Sequence, residues 1–410
     1  MSTVLVYEDI VTVPYSNLHS DGNRGHVGGP VWPDWDDISL ARHFWGAEAI
    51  DERPAPQVPE VVLEGGNFFW AGPIQDHFGH QVVEFSMRIP LALLQNPNAT
   101  LVFSACLGSR NFELATTPPL FRAILDWFGV PPERVLIVDR PTLFRRLHVA
   151  PQGERLLRPD ASAPADLVAS APGAAHLKAL TDHARRQLGT PARKGIVFVS
   201  RSGVRTSIAG ESDLDILFEL AGARVFRPEQ VPLAEQLATY ASAATLVFVD
   251  GSAAHGLQLM GRNIGKVILI RRRAGNSFGS NFIPPRAEDF ASLDAVRGEI
   301  TGVCSSIPRL PVTLALGLMD IDRLLEELAA EGADLRPYLD RRRFLEAEAR
   351  DLRRWFATSG LHMRNLDRRS NLAVAQSLVL YRPAGWASLL GRIAYGGAAR
   401  QLRRRWSSRR

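Results

Sequence analysis

The stretch TLVFVDGSAAHGLQLMGRNIGKVILIR, at residues 245–271, decides the fold class. Buried strands are predicted over 245–250 and 266–271, each built around an apolar run, and a short helix is predicted over 252–261 between them. Strands that are apolar throughout are typical of a parallel sheet with helices on both faces. The stretch therefore predicts an α/β fold.

The preceding residues continue this alternation of strands and helices. Strands are predicted over 195–200 and 223–226, and helices over 211–222 and 232–244. The first half of the chain repeats the pattern less clearly, with a helix at 85–94, a strand at 99–105, a helix at 118–129 and a strand at 134–139. We therefore expect two α/β domains that face each other across a cleft.

Composition sets the domain boundaries and the class of protein. The 410 residues, 46% hydrophobic and 22% charged, are typical of a soluble protein of two or three domains. Residues 151–174 are rich in Pro, Ala and Ser and are predicted to connect the domains, and amphipathic helices follow residue 310. The predicted parts are an N-terminal α/β domain (1–175), a C-terminal α/β domain (176–310) and a helical extension with a basic tail (311–410).

Charge and cysteine usage exclude several classes of protein. The net charge is only +5, and eight arginines without any acid lie between 382 and 410, so no nucleic-acid partner is expected. The same tail contains Trp386 and Trp406, which is compatible with an anionic membrane surface as partner, and the alternatives are a disordered cationic tail and a helix packed on the N-terminal domain. Two cysteines, no apparent secretory signal and no apolar run of about 18 residues predict a cytoplasmic protein.

The turn after the strand 245–250 has the features of a site for a negatively charged ligand. In an open parallel sheet, ligands bind beyond the carboxyl ends of the strands. Gly251 and Ser252 begin a predicted helix there, and its N–H groups and dipole attract phosphate-like anions. His255, in the same first turn, can donate to a phosphate oxygen. The alternative is that Ser252 only caps the helix and that His255 packs in the interior.

Two arginines follow the neighbouring strand 195–200. Arg201 and Arg205 can each bind phosphate oxygens in a bidentate manner, which predicts a site for a diphosphate. The alternative is a solvated loop whose arginines pair with Glu211 or Asp213.

Acidic and amide groups follow further along the chain. Glu229 and the pair Glu235 and Gln236 can accept hydrogen bonds from ribose hydroxyls at the same edge. Glu235 is equally compatible with an exposed position on its helix.

Two blocks of sequence resemble glycosyltransferase family 61, which includes bacterial members of capsular and exopolysaccharide biosynthesis. The first covers about 195–272, with SRSGVR, GESDLDILFELAG, RPEQ, LAEQ and DGSAAHG in order, and the second is GPIQDHFGHQVVEFSMR at 72–88. Asp250 departs from the pattern, because a histidine often precedes this glycine in the family.

The resemblance implies a GT-B-like arrangement of two Rossmann-like domains with a cleft between them. It also implies inverting transfer of a sugar from a nucleotide-sugar donor to a hydroxyl of a glycan or lipid-linked glycan acceptor. The donor would bind the domain 176–310, through the residues that the turn and the arginine loop already indicate.

Inverting transfer needs a base near the acceptor hydroxyl. The segment DHFGHQVVE offers Asp76, His77, His80 and Glu84, and on a helix the last three would share one face. We prefer His77 as the base, with His80 or Asp76 as replacements, and Glu84 as the orienting carboxylate. The alternatives are a helix cap with a buried histidine, or a zinc site.

Asp213 and Asp215 form an Asp-X-Asp sequence, which in other glycosyltransferases binds a metal-nucleotide complex. Here it lies within a predicted amphipathic helix, so we expect a solvated helix face and no cofactor or metal. The predicted activity is an inverting, metal-independent glycosyltransferase of surface-polysaccharide biosynthesis, cytoplasmic or peripheral to the inner membrane. The alternatives are a nucleotide-sugar-binding scaffold without turnover and a two-domain nucleotide-sugar epimerase.

Overall fold

The chain forms two compact units. The computed structural model describes residues 4–17, 26–36, 41–45, 48–106, 112–155, 172–202, 207–273, 279–303 and 315–381. The first unit comprises Met1–Ser200, Ala223–Arg271 and Gly275–Leu293, and the second comprises Arg201–Gly222, Arg272–Ala274 and Asp294–Arg410. These units group the chain differently from the predicted parts 1–175, 176–310 and 311–410, which stay a prediction. Arg205 and the tail from 382 to 410 lie outside the described residues, as does 156–171 of the predicted connection.

The first ten strands belong to the first unit. They are β1 (Leu5–Asn17), β2 (His26–Pro30), β3 (Phe44–Trp45), β4 (Glu48–Ala49), β5 (Asp51–Glu52), β6 (Val61–Leu63), β7 (Phe68–Pro73), β8 (Thr100–Ser104), β9 (Val135–Val138) and β10 (Thr142–Val149). Apart from the separate β3–β4 pair, they form a mixed sheet of order β5-β2-β1-β10-β7-β8-β9, with β6 on β10. β1 is antiparallel to β10, whereas β7, β8 and β9 are parallel. The predicted strands β8 and β9 are confirmed, and β1 and β10 were not predicted.

The second sheet of the first unit confirms the parallel α/β pattern. Its strands are β11 (Lys194–Val199), β12 (Arg224–Phe226), β13 (Ala243–Val249), β14 (Ile264–Ile270) and β15 (Ala287–Leu293). All are parallel, in the order β12-β11-β13-β14-β15. β13 and β14 are buried along most of their length, as their apolar sequences predict.

Helices of the first unit cover both sheets. They are α1 (Phe78–Val83), α2 (Ile89–Gln95), α3 (Pro119–Trp127), α4 (Ala174–Leu188), α6 (Leu233–Ser242) and α7 (Gly279–Phe282), with a 3₁₀ helix at Ser252–Leu259. The helix predicted over 85–94 is confirmed as α2, which begins only at Ile89 because the chain turns between α1 and α2. Pro90 lies in the first turn of α2. Its fixed φ and missing N–H suit the start of a new helix.

One hydrophobic core serves both sheets of the first unit. Phe103 of the mixed sheet, Leu246 of the parallel sheet and Leu257 of the 3₁₀ helix are all fully buried in the same cluster. The indole Nε1 of Trp127, at the end of α3, donates to the carbonyl of Leu259 at 3.1 Å. The 3₁₀ helix therefore packs with residues on the side of the mixed sheet as well as with residues of the parallel sheet.

The second unit contains α5 (Glu211–Leu220), the antiparallel pair β16 (Val296–Ile300) and β17 (Leu316–Met319), and the helices α8 (Ile321–Ala330), α9 (Arg341–Ser359) and α10 (Arg368–Tyr381). The predicted helices beyond residue 310 are thus confirmed. Within the described ranges, no helix combines the length and the apolar character that a bilayer span needs.

The expectation of a solvated face at Asp213 and Asp215 is wrong. Their exposed fractions are 1% and 5%, because α9 packs against α5 within the second unit. Arg343 of α9 forms an ion pair with Asp213, and the hydroxyl of Ser202 donates to Asp215 at 2.6 Å. Both carboxylates are structural partners within this unit.

Candidate functional site

The site begins at the turn that follows β13. After Asp250 and Gly251 the chain enters the 3₁₀ helix Ser252–Leu259, whose residues from Ala253 onward are buried. Gly251 precedes this helix without a side-chain cap, so the alternative in which Ser252 caps it is wrong.

Helix α6 positions this 3₁₀ helix. The amide Nε2 of Gln236 donates to the hydroxyl of Tyr240 at 3.0 Å, and that hydroxyl donates to the carbonyl of Ala253 at 3.2 Å. Gly256 leaves room for this contact, since a Cβ there would lie 2.9 Å from Nε2 of Gln236. It is therefore Gln236, and not its exposed neighbour Glu235, that lies against the 3₁₀ helix.

Helix α1 brings the predicted histidines to the same place. His77 is the N-cap of α1, and its Nδ1 accepts from the main-chain N–H of His80 at 3.4 Å. The rings of His77 and His80 have centroids 4.8 Å apart. A Cβ added at Gly79 would lie 3.3 Å from Cε1 of His77 and 3.3 Å from Cδ2 of His255. Residues 77–80 and the 3₁₀ helix therefore form one cluster of imidazoles.

His80 and Glu84 form a close pair within this cluster. Nδ1 of His80 lies 2.7 Å from Oε2 of Glu84, whose side chain is 3% exposed. Burial lowers the pKa of His80, but the hydrogen bond and the charge of Glu84 outweigh burial, so the pKa is raised. Burial also raises the pKa of Glu84, against the opposing influence of His80.

The pKa of His77 is shifted in the opposite direction to that of His80. Burial and the neighbouring His80 lower its pKa, and Asp76 only partly opposes them. His77, His80 and Glu84 lie side by side as expected, although His77 and Glu84 are the two caps of α1 and not residues within it. The helix is one turn and a half long, and its ends still keep the three side chains together.

His255 is the buried member of the cluster that lies on the 3₁₀ helix after β13. It is 8% exposed, and its ring lies 4.9 Å from that of Phe282 of α7. Its Nδ1 lies 2.7 Å from Oε1 of Gln258, which is fully buried. Gln258 and Tyr240 were missed from the sequence, although the three-residue spacing of His255 and Gln258 is a signal that could have found Gln258.

Arg201, which was predicted to bind the diphosphate, follows β11 of the parallel sheet. β11 and β13 are parallel neighbours, with Val199 beside Phe248, so the chain leaves both strands at one edge of the sheet. Arg201, the second residue after β11, is buried, and its main-chain N–H donates to the carboxylate of Glu211.

The other predicted acids are exposed. Asp76, Glu229 and Glu235 lie at the surface of the first unit. Within the part of the chain that the structure describes, no hydrogen bond or ion pair joins these three carboxylates to the imidazole cluster. Their predicted roles stay predictions.

The zinc alternative has no support from the geometry. Across the described ranges, no three or more histidine, cysteine or acidic side chains are arranged to hold a metal ion.

The chain matches none of the protein-family models and none of the curated proteins with which it was compared.

Proposed function

We propose that the protein is an inverting glycosyltransferase, which moves a sugar from a nucleotide-sugar donor to a hydroxyl of a glycan acceptor. The observation that carries the proposal is the His80–Glu84 pair on α1, a helix that lies against His255 at Gly79, close to the turn after β13. A base and an anion-binding turn are the two parts that such a reaction needs within a few ångströms of each other. The GT-B-like arrangement with two Rossmann-like domains and a cleft belongs to the same proposal.

His80 is the base in this proposal, in place of His77. Because Nδ1–H of His80 donates to Glu84, the neutral ring has its acceptor lone pair on Nε2. Nε2 takes the proton of the acceptor hydroxyl, and the carboxylate of Glu84 stabilises the resulting imidazolium. Among the residues that the structure describes, no carboxylate forms such a pair with His77, and its Nδ1 already accepts from the main chain of α1.

The transfer balances without further reactants. The acceptor oxygen forms a bond to the anomeric carbon as the bond from that carbon to the diphosphate oxygen breaks. The nucleoside diphosphate leaves with the electron pair, and the proton held by His80 passes to solvent. His255 and the N–H groups of Gly251 and Ser252 would bind the departing diphosphate, while the roles of Arg201 and Arg205 in diphosphate binding stay predictions from the sequence.

The partners follow from this chemistry. The acceptor would be a glycan or a lipid-linked glycan of surface-polysaccharide assembly, and the Arg-rich tail from 382 to 410 would hold the enzyme at an anionic membrane in the cytoplasm. The proposal includes no nucleic acid and no metal cofactor.

A panel of nucleotide sugars tests the proposal. We expect one of them to raise the melting temperature of the protein, because it binds the native state. The same compound should release its nucleoside diphosphate slowly in water and faster with acceptor.

His80→Gln should reduce this release by about 100-fold or more. His148→Gln is the matched control, since His148 is a partly buried histidine of β10 that stacks on Phe69 and has no part in the site. Binding without turnover would instead establish a scaffold, and an isomerised sugar would establish an epimerase. Release by His80→Gln at the wild-type rate would overturn the proposal.

A further inference from the structure

A buried glutamine joins the two ends of the segment that contains the proposed base. Gln81 of α1 is fully buried, and its Oε1 accepts from the main-chain N–H of Gln75, before the helix begins, at 2.7 Å. Its Nε2 donates to the hydroxyl oxygen of Ser86, after the helix has ended, at 3.3 Å. One side chain therefore connects the entry of α1 with its exit.

The orientation of this amide is fixed by its partners. A main-chain N–H only donates, so the atom of Gln81 that faces Gln75 must be the carbonyl oxygen. The amide nitrogen is then the atom that faces Ser86, whose hydroxyl oxygen can accept. This second contact is shielded from water, because the side chains of Gln81 and Ser86 are both fully buried.

Packing alone does not explain a glutamine at this position. Its neighbours Val82 and Val83 are apolar and belong to the hydrophobic core of the first unit. A buried amide costs free energy unless hydrogen bonds compensate, and leucine at position 81 would be buried without that cost. Leucine would, however, leave Gln75 and Ser86 without their contacts to this side chain. The hydrogen bonds are therefore what distinguishes glutamine here.

The two contacts of Gln81 enclose the groups of the proposed reaction. Gln75 precedes His77, the N-cap of α1, by two residues, and Ser86 follows Glu84, the C-cap, by two residues. The helix has only six residues, and helices of fewer than about 12 residues are marginally stable on their own. In its last turn the N–H of Glu84 donates to the carbonyl of His80 at 3.1 Å, so fraying of this turn would separate the carboxylate from the ring.

We propose that Gln81 is a positioning residue of the His80–Glu84 pair. By holding both ends of α1, it keeps the carboxylate of Glu84 at Nδ1 of His80, and with it the proton of the neutral ring on Nδ1. The inference rests on the proposed function, in which this pair is the base. Because Gln81 is fully buried, it acts through His80 and not on the substrate.

Nitrogen-15 NMR of the imidazole rings in the full-length protein tests this without a substrate. The signals of His80 are assigned by their loss in His80→Gln, and they are measured above the pKa of His80. We expect the proton on Nδ1 in the wild type and a mixture of the two tautomers in Gln81→Leu. Gln81→Glu should restore the Nδ1 form, since a glutamate accepts from Gln75 and can share a hydrogen bond with Ser86 in either protonation state.

Leu91→Ala controls for a general loss of stability. Leu91 of α2 is buried in the same hydrophobic core, so this variant should lower the melting temperature and leave the tautomer of His80 unchanged. If Gln81→Leu does not fold, Ser86→Ala decides in its place, with a partial loss of the Nδ1 form expected. The inference is overturned by a wild-type proton on Nε2, by a tautomer that does not change in the deciding variant, or by an equal change in Leu91→Ala.

Release of nucleoside diphosphate gives the second readout. The kcat of Gln81→Leu should lie between that of the wild type and that of His80→Gln, with little change in the KM for the nucleotide sugar. A kcat equal to that of the wild type would overturn the positioning role. If the tautomers respond as expected but the wild type turns over no nucleotide sugar, the transferase proposal fails and the support of the His80–Glu84 pair by Gln81 stands.

Discussion

Replacing Glu84 by Gln isolates the charge that supports the proposed base. The amide has nearly the shape of the carboxylate and can still accept from Nδ1 of His80, now 2.7 Å from Oε2 of Glu84. The substitution therefore removes the negative charge and leaves the packing of α1 largely intact. Any change in rate reports on the charge.

The magnitude follows from the hydrogen bond that loses its charge. A hydrogen bond to a charged group contributes about 1.5–3 kcal/mol. If Glu84 stabilises the imidazolium of His80 in the transition state by this amount, kcat falls by about 10- to 150-fold. The side chain of Glu84 is 3% exposed, so solvent screening does not reduce this effect appreciably.

The pH dependence gives a second readout with a defined sign. A base must be neutral, so the rate rises as pH increases through the pKa of His80. Burial alone lowers this pKa, and Glu84 raises it. Without the charge of Glu84, the rising limb of the pH–rate profile moves to lower pH, while the plateau rate decreases.

Steady-state release of nucleoside diphosphate, measured from pH 5 to 9, checks both effects. The control is the double variant His80→Gln with Glu84→Gln. If Glu84 acts through His80, the double variant is no slower than His80→Gln alone. Additive losses, or a rising limb that stays in place in Glu84→Gln, would refute the reasoning.

Three further predictions concern packing and burial. Gly79→Ala should raise or preserve the melting temperature, because alanine stabilises helices by about 1 kcal/mol relative to glycine. It should nevertheless lower kcat several-fold, since the new Cβ lies 3.3 Å from the ring of His255; unchanged turnover would contradict the cluster. Glu154→Gln should reduce the free energy of unfolding by about 3–5 kcal/mol in urea titrations, because it leaves the fully buried Arg286 without its carboxylate; a loss below about 1 kcal/mol would contradict this. Burial raises the pKa of Glu211 to about 7, so the native state binds more protons and its stability should fall, on the order of 3 kcal/mol, as pH rises from about 4.5 to about 7. Glu211→Gln should abolish that slope, and an equal slope in both proteins would show that another group is responsible.

The parallel sheet could be predicted because each of its central strands is recognisable from its own apolar sequence. β13 and β14 contain the uninterrupted apolar runs 246–249 and 267–270, so their sequences alone indicate burial on both faces. β1 and β10 gave no such signal. They pair across more than a hundred residues, and β10 includes two exposed arginines, so their partnership depends on contacts that a local pattern does not contain.

The members of the site could be predicted in part, and their grouping only from the structure. The spacing of His80 and Glu84 indicated a pair, and the turn at Gly251 indicated a site, but each lay in a different block of the sequence. What joins them is Gly79, whose missing side chain lets α1 approach the 3₁₀ helix. A close approach of this kind depends on the packing of two elements, and no periodicity in either element encodes it.

The contrast between Glu84 and Gln258 extends the argument from grouping to chemistry. A carboxylate and an amide of equal length make the same 2.7 Å contact to an imidazole, yet the carboxylate stabilises the charged ring more strongly because it carries a negative charge. One cluster therefore contains a histidine whose pKa is raised by a carboxylate and a second histidine whose contact is with a neutral amide. Two neighbouring groups of the same type with different protonation responses are what a transfer reaction requires, because one must accept a proton while the other binds the departing anion. Exchanging the partners, by Glu84→Gln together with Gln258→Glu, should therefore leave both contacts in place and abolish turnover.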